Sequence, residues 1–462
     1  MKFQQPEYTR ELVEFLHQLQ PGNLPAEVLD RARYFLLDYL ACAIRGSREE
    51  SSAAVQRMVQ RVFPQRDGNG CSTVIGTRIR TIPGFAAMAN GAAAHAIEMD
   101  DTHSGGSIHL GATMYSAALA LVENMPETSS ETFLAAVVAG YEAAARIAMA
   151  VQPKEHYALG FHMTATCGVF GAAITSAKLL GLTAEQTLSA VGIAGSMAAG
   201  SMEFLAEGAW TKRIHPGLAA QNGIQAAMLA AEGFIGPRRI LEGRDGFLNG
   251  YSREALPELL TEDLGESFEI LRTAVKPHAC CRYMQGPIDA ILAIMRENHL
   301  QASQIQRIEV AILRAGWGLV AEPRAKKYHP ESVVDAQFSM PFGAAIAALE
   351  GAAGLDQFTA EKARSAQVRK FMGRVTVMKD IRIEKNFPRE WPAYATIDLA
   401  DGRGFEEAIR YPKGDPENPL TWDELAAKFR TLAGAALSRE RCDEVIAAIS
   451  EAKPATLPAL CA

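Results

Sequence analysis

The strongest constraint on this chain is a succession of long apolar runs built largely from small residues. Phe133 to Val151, and the run through Leu188, Val191 and Ile193, carry Ala, Gly and Ser where a surface helix would carry charge. Pro83 to Ile97 and Cys167 to Leu180 have the same character. Small side chains let helix axes approach closely, and a helix that is apolar on most faces has to be buried. Helix-start signals agree: Thr128-x-x-Glu131 and Thr183-x-x-Gln186 are capping-box patterns placed just ahead of two of these runs. The pattern predicts helix throughout about residues 5–265, packed as an Ala-rich core. No run reaches about 18 uninterrupted apolar residues, so no membrane span is expected.

The periodicity changes after about residue 270. Ile308, Val310 and Ile312 alternate with Glu309 and Ala311, and Arg374 to Met378 is a second β-prone run. Tyr394 to Leu399, then Asp401-Gly402, then Phe405 to Tyr411 reads as a hairpin. Helical stretches, Gly286 to Glu297 and Phe342 to Glu350, lie between. From Thr421-x-x-Glu424 the chain is helical again to about Glu451. The fold class read from this is mainly α. An all-helical domain takes residues 1–268 and 412–462, and a smaller α+β domain is inserted over 269–411.

The chain has 462 residues and a net charge of −7, with no Lys/Arg-rich run, which argues against a nucleic-acid partner. Glu7, Glu11 and Glu14 replace the basic and apolar regions of a secretory signal. Seven cysteines at irregular spacings form no disulfide framework, so a reducing, cytoplasmic setting is expected. Cys280 and Cys281 are adjacent, and the missing C-x-x-C argues against an iron–sulfur cluster of common spacing.

Titratable residues gather in five places. His95, Glu98, Asp100, Asp101, Thr102, His103 and, after a Gly-rich turn, His109 fall between two apolar helices, where a capped loop and a reactive loop look alike. His162, in Gly160-Phe161-His162-Met163-Thr164, opens a helix, whose positive end weakens its hold on a proton and suits a base; a capping or core histidine is the plainer alternative. Lys212, Arg213 and His215 open another helix, as an anion site or as a solvated basic turn. Lys276, His278, Cys280, Cys281 and Arg282 lie where the helical region gives way to the α+β region, a usual place for a cleft. The two cysteines read better as small buried residues than as nucleophiles or metal ligands, since no metal spacing accompanies them. Tyr328-His329-Pro330 with Asp335 to Ser339 is the fifth.

Taken in order, these segments resemble the MmgE/PrpD family, which contains 2-methylcitrate dehydratases, cis-aconitate decarboxylases and iminodisuccinate epimerases. The resemblance runs from Leu24-Pro25 and Leu36-Leu37-Asp38 through Asn90-Gly91-Ala92, His95, Asp100-Asp101-Thr102, Gly160-Phe161-His162 and Lys212 to Gly217. It continues through Lys276-Pro277 and Cys280-Cys281-Arg282 to Ala336-Gln337-Phe338-Ser339. It implies a helical domain with an α+β lid, a homodimer, a site between the two domains, and no metal or organic cofactor. It also implies that the loop with Asp100, Asp101, Thr102 and a following His lines the site, with His109 the match and His103 a competing one. His162 matches a second active-site His, and Lys212 and Lys276 match substrate-contacting lysines. Two features depart from the family: Glu98 stands where an Asp is common, and Ser104 to Leu110 replaces a His-Pro pattern.

Reactions of this family form an enolate-like centre beside a carboxylate. That requires a proton donor or acceptor and cations for the carboxylates. His109 and His162 are assigned the acid and base roles; Lys212, Lys276 and Arg213 would hold carboxylates. Thr102, Asp101 and Glu98 would orient histidines or the substrate hydroxyl, with His103, His215, Cys280 and Arg282 as further substrate contacts. The expected function is that of a cofactor-free lyase on a small di- or tricarboxylate, first of all dehydration of a 2-methylcitrate- or citrate-like 2-hydroxy acid. The alternatives are decarboxylation of cis-aconitate or a related acid, an iminodisuccinate-type epimerase, and an inactive carboxylate-binding paralogue.

Overall fold

A computed structural model describes residues 6–63, 70–387, 389–451 and 454–461. The first five residues of the N-terminal segment read for a signal lie outside it. The helical body is built on Ala26–Gly46, Pro83–His95, Gly111–Val122, Ser130–Ala150, Gly168–Leu179, Ala184–Gly195 and Thr211–Ala231. Ser130–Ala150 is long and apolar enough to cross a membrane, but 94% of its most apolar window is buried among its neighbours. Of its charged members, Glu142 and Arg146 are buried and pair with each other inside. The apolar run is therefore accounted for by core packing.

The small residues mark where helices cross. Pro83–His95 lies against Thr211–Ala231 so closely that a Cβ on Gly91 would come within 2.6 Å of Gly217 Cα. A Cβ on Gly217 would overlap the Met88 carbonyl oxygen. This crossing matters because one helix ends at the loop bearing Glu98 and the other begins beside Lys212. Gly217→Ala is expected to lower stability by about 1–3 kcal/mol through overpacking, more than the gain in helix propensity returns. The check is the denaturant midpoint; an unchanged midpoint would contradict the packing argument.

The helix-start signals hold with one shift. The boxes at Thr183 and Thr421 are both formed, whereas the cap ahead of Phe133 is Ser129, which accepts from the Thr132 amide. The helical stretch expected over about 5–265 is interrupted by two short antiparallel pairings. Ser72–Thr73 pairs with Arg80–Thr81, and Thr102–His103 pairs with Thr273–Ala274. Two-residue strands have no alternation to read, which is why the pattern missed them. The second pairing fastens the 98–109 loop to the segment that delivers Lys276.

The α+β region forms a four-stranded sheet in the order Val375–Met378, Ile305–Ala311, Ala393–Leu399, Gly404–Ile409. The first pair is parallel and the other two antiparallel. The hairpin turns at Asp401-Gly402, with Gly402 at φ +90°. Gln285–Glu297 and Met340–Glu350 pack together and against this sheet. Beyond it, Trp422–Ala433 lies against Ala26–Gly46.

Candidate active site

The Pro83–His95 helix ends at His95, and the chain then turns through Glu98, which adopts φ +58°. A non-glycine residue in this region costs about 1–3 kcal/mol, so the surroundings must hold it there. The turn brings Glu98 and Asp100 to one ammonium: Lys276 Nζ lies 3.5 Å from Glu98 Oε2 and 3.5 Å from Asp100 Oδ1. Lys212 Nζ pairs with the other Glu98 oxygen. All four side chains are buried. Isolated, each charge would cost several kcal/mol to bury; two cations shared between two anions offset that.

Burial alone would raise the Glu98 carboxyl, but the ammonium groups of Lys212 and Lys276 outweigh it and hold it well below the usual range. Asp100 is likewise held low, against burial, by His95, His109 and Lys276. Burial would lower Lys276, yet facing Asp100 and Glu98 it ends above its ordinary value. Lys212 faces Glu98 with Lys276 close by, and burial leaves it lowered.

Hydrogen-bond partners fix the histidine tautomers. His109 Nδ1 is 2.8 Å from the Asp101 carbonyl, which only accepts, so Nδ1 carries the proton and Nε2 keeps a lone pair. Thr102 Oγ1 lies 3.2 Å from the same nitrogen. His95 Nδ1 donates to Asp100 Oδ2 at 2.6 Å. His162 and His215 meet Nδ1 to Nδ1 at 2.9 Å, so one of the two carries the proton between them. His95 stands 4.7 Å from His109 and 5.9 Å from His162, ring centre to ring centre. Burial, reinforced by neighbouring cations and rings, pushes His109 and His162 well below the ordinary imidazole value. The sequence argument credited a helix end for His162; the helix it opens, Met163–Thr166, is a single turn, and burial is the larger cause.

These groups open on a cavity with about 450 Å³ of non-atom space, mouth included. Its lining mixes polar groups, Glu98, Thr102, His109, His162, Lys212 and Arg282, with apolar ones, Met202, Phe204, Leu319 and Phe338. Cys281 lines it too, while Lys276 reaches it only through its pairing with Glu98.

Other expected residues point elsewhere. His103 is taken by Glu269 Oε2 at 2.9 Å and by the Gly106 amide at 2.9 Å, so that of these two rivals it is His109 that lines the cavity. Arg213 turns to Ser51 at 3.0 Å and Glu49 at 3.8 Å. His215 backs His162 and does not line the cavity. Cys280 lies 3.4 Å from Gln285 Nε2, and burial pushes its thiol well up, as it also raises Cys281. Thiols so placed are poor nucleophiles. Arg282 lines the cavity, paired with Asp415 and set 4.7 Å over the Trp391 ring.

Asp101 also turns away, accepting from Tyr141 Oη at 2.7 Å and from the Gly111 amide at 2.9 Å. Burial outweighs these bonds and pushes its carboxyl up to about 7. A folded-state value raised above the unfolded one stabilises at low pH, and that contribution is lost as pH rises through about 7. Asp101→Asn should therefore be more stable than the wild type at ~pH 8, with the gap shrinking toward ~pH 5, and should keep activity within about tenfold. Urea unfolding and assay at both pH values check this; a large loss of rate in a stable Asp101→Asn protein would put Asp101 back in the chemistry.

The sequence places Asp100 on the site loop and His95 among the matching segments, without assigning either a catalytic or binding role. A His in the last turn of a helix with an Asp five residues on was the available signal. One ligand atom each from His95, Asp100 and His109 lie within 4.8 Å of one another, the donor types of a cation site. Asp100 already faces both His95 and the Lys276 ammonium, and that ammonium would repel a second cation.

The family model described as the MmgE/PrpD N-terminal domain matches residues 10–260, and that of the MmgE/PrpD C-terminal domain matches 278–452. The chain is 31% identical to a cis-aconitate decarboxylase-like protein, oryM, of Aspergillus oryzae, over 95% of this chain and 92% of that one. It is 29% identical to a cis-aconitate decarboxylase of Aspergillus terreus, over 95% and 91%. It is 27% identical to a cis-aconitate decarboxylase of Homo sapiens, over 95% and 90%.

Proposed function

This chain belongs to the MmgE/PrpD family, and from that premise we propose that it is a lyase removing CO₂ from cis-aconitate or a closely related tricarboxylate. The sequence reading put dehydration of a 2-hydroxy acid first. What supports decarboxylation ahead of it is the mixed lining of the cavity, where apolar side chains sit beside cations and histidines: Phe204 is 6.1 Å from the His162 ring and Phe338 5.3 Å from Lys212 Nζ. The names of the relatives point the same way. A carboxylate seated against the apolar side chains loses part of its hydration, and losing its charge as CO₂ relieves that cost.

In cis-aconitate the departing carboxylate sits on the CH₂ arm. Breaking its C–C bond sends the electron pair through the double bond to the carbon bearing another carboxylate. That carbon takes one proton, giving CO₂ and an unsaturated C5 diacid with a terminal methylene. Lys212 and Arg282 bind the two retained carboxylates, and Lys276 holds Glu98 in place. His109 Nε2 delivers the proton, its Nδ1–H fixed on the Asp101 carbonyl; His162 is the second acid–base group at the cavity.

The resting site has little spare positive charge, because Lys212 and Lys276 already face Glu98 and Asp100, Arg282 faces Asp415, and burial makes His109 and His162 weak bases. An arriving trianion raises the affinity of His109 for a proton. Binding of the saturated analogue propane-1,2,3-tricarboxylate is therefore expected to take up about one proton per site. Calorimetry in buffers of different ionisation enthalpy reads this directly, and uptake near zero would remove the acid role from His109.

The functional test is NMR-monitored turnover of cis-aconitate, citrate, 2-methylcitrate and iminodisuccinate. Release of CO₂ with the C5 diacid supports decarboxylation. Loss of water from a hydroxy acid without CO₂ moves the assignment to dehydration, stereochemical inversion of iminodisuccinate moves it to epimerisation, and tight binding without turnover marks a carboxylate-binding paralogue.

A further inference from the structure

The Trp422–Ala433 helix carries a lysine, its side chain 8% exposed, that the proposed chemistry does not use. Lys428 Nζ donates to Asp38 Oδ1 at 2.6 Å and to the Met99 carbonyl at 2.8 Å. Asp38 belongs to the Ala26–Gly46 helix and is itself buried. Met99 is the residue between Glu98 and Asp100, and Glu98 is the one held at φ +58°.

A buried ion pair is poor value as a mere tie, since well-packed apolar side chains commonly stabilise as much or more. What an apolar pair cannot do is grip a carbonyl oxygen. The Met99 carbonyl lies in the peptide plane that sets where Asp100 begins, so its orientation helps determine the directions of both flanking carboxylates. We infer that Lys428, anchored by Asp38, is a positioning residue of the site: it clamps the Met99 carbonyl so that Glu98 and Asp100 face Lys212 and Lys276. The inference rests on reading this cavity as the reactive one. It means that residues on the returning helix, remote in sequence from every group at the cavity, set the geometry of its charges.

Lys428→Met removes the clamp, and Asp38→Asn keeps the shape of its anchor while removing the charge. In Lys428→Met, kcat on cis-aconitate is expected to fall on the order of 100-fold with KM changed less than about threefold, as for misplaced rather than missing groups. Asp38→Asn should show a smaller loss in the same direction. A readout independent of the reaction is the ¹⁵N-imidazole spectrum of the ligand-free protein. His95 and His109 signals should move in Lys428→Met, while those of His156, whose ring nitrogens bond Tyr251 and Thr166 instead, stay in place.

If wild-type protein turns over no tricarboxylate, the functional reading fails, and the imidazole signals still decide the clamp. Unmoved His95 and His109 signals, or a kcat within about threefold of wild type in a folded Lys428→Met protein, overturn the inference. So does a chain that folds in neither variant, because the pair is then a structural one.

Discussion

Lys276→Met is expected to lower kcat/KM by on the order of 10³ and stability by about 3–5 kcal/mol, the largest combined effect of any single replacement discussed. The ammonium lies 3.5 Å from a carboxylate oxygen on each of Glu98 and Asp100 and is wholly buried. Without it, two buried carboxylates confront each other, and Lys212 alone opposes them. In the wild type both carboxylates are held low, so their contribution is present above the unfolded value of about 4 and is lost as pH falls through the folded values. Lys276 is held high, so its contribution is present below about 10.4 and is lost as pH rises through its folded value. In Lys276→Met the carboxyl values rise, so the stability deficit should be widest near neutrality and shrink toward ~pH 4. Adding Asp100→Asn should restore part of the stability and little of the rate. Denaturant unfolding at two pH values, beside steady-state assays, measures both. A Lys276→Met protein of wild-type stability at neutral pH would show that the buried charges are not coupled as described.

His109→Asn should cost about 10²–10⁴ in kcat, the range of a lost general acid. Asparagine can keep a donor near the Nδ1 position for the Asp101 carbonyl, while the Nε2 side is lost. Affinity for propane-1,2,3-tricarboxylate should therefore stay within a few fold, and the proton uptake that accompanies its binding should disappear. If kcat stays within about tenfold, His162 becomes the proton donor, and the same two measurements on His162→Asn locate it.

Much of the architecture was legible because it rests on local chemistry. The capping boxes at Thr183 and Thr421, the strand read from Ile308, Val310 and Ile312 and the Asp401-Gly402 hairpin are short-range signals, and each appears in the structure, the strand over Ile305–Ala311. The site was legible as a set of segments but less so as an arrangement. Spacing left His103 and His109 as rivals, and the deciding fact was Glu269, 166 residues from His103. Asp101 looked like its neighbour Asp100 in sequence; only the placement of Tyr141 and the Gly111 amide shows that it faces the opposite way. Arg213 looked like Lys212, but consecutive helical residues point about 100° apart, and one faces Glu98 while the other faces Ser51. Lys428 carried no local signal, since its partners lie on a helix near the start of the chain and on a backbone carbonyl.

The contact between Trp422–Ala433 and Ala26–Gly46 also orders events in time. During synthesis, the stretch bearing both Lys212 and Lys276 leaves the ribosome before the helix that grips Met99. At about 5–20 residues per second this interval lasts on the order of ten seconds. Until it closes, the nascent chain shows solvent the face of Ala26–Gly46 that Trp422–Ala433 will cover, and the Glu98 turn lacks its outer restraint. Completion of the charge cluster is in this sense a late event of synthesis, and a ribosome stalled upstream of Trp422 carries a chain whose Glu98 turn still lacks that restraint.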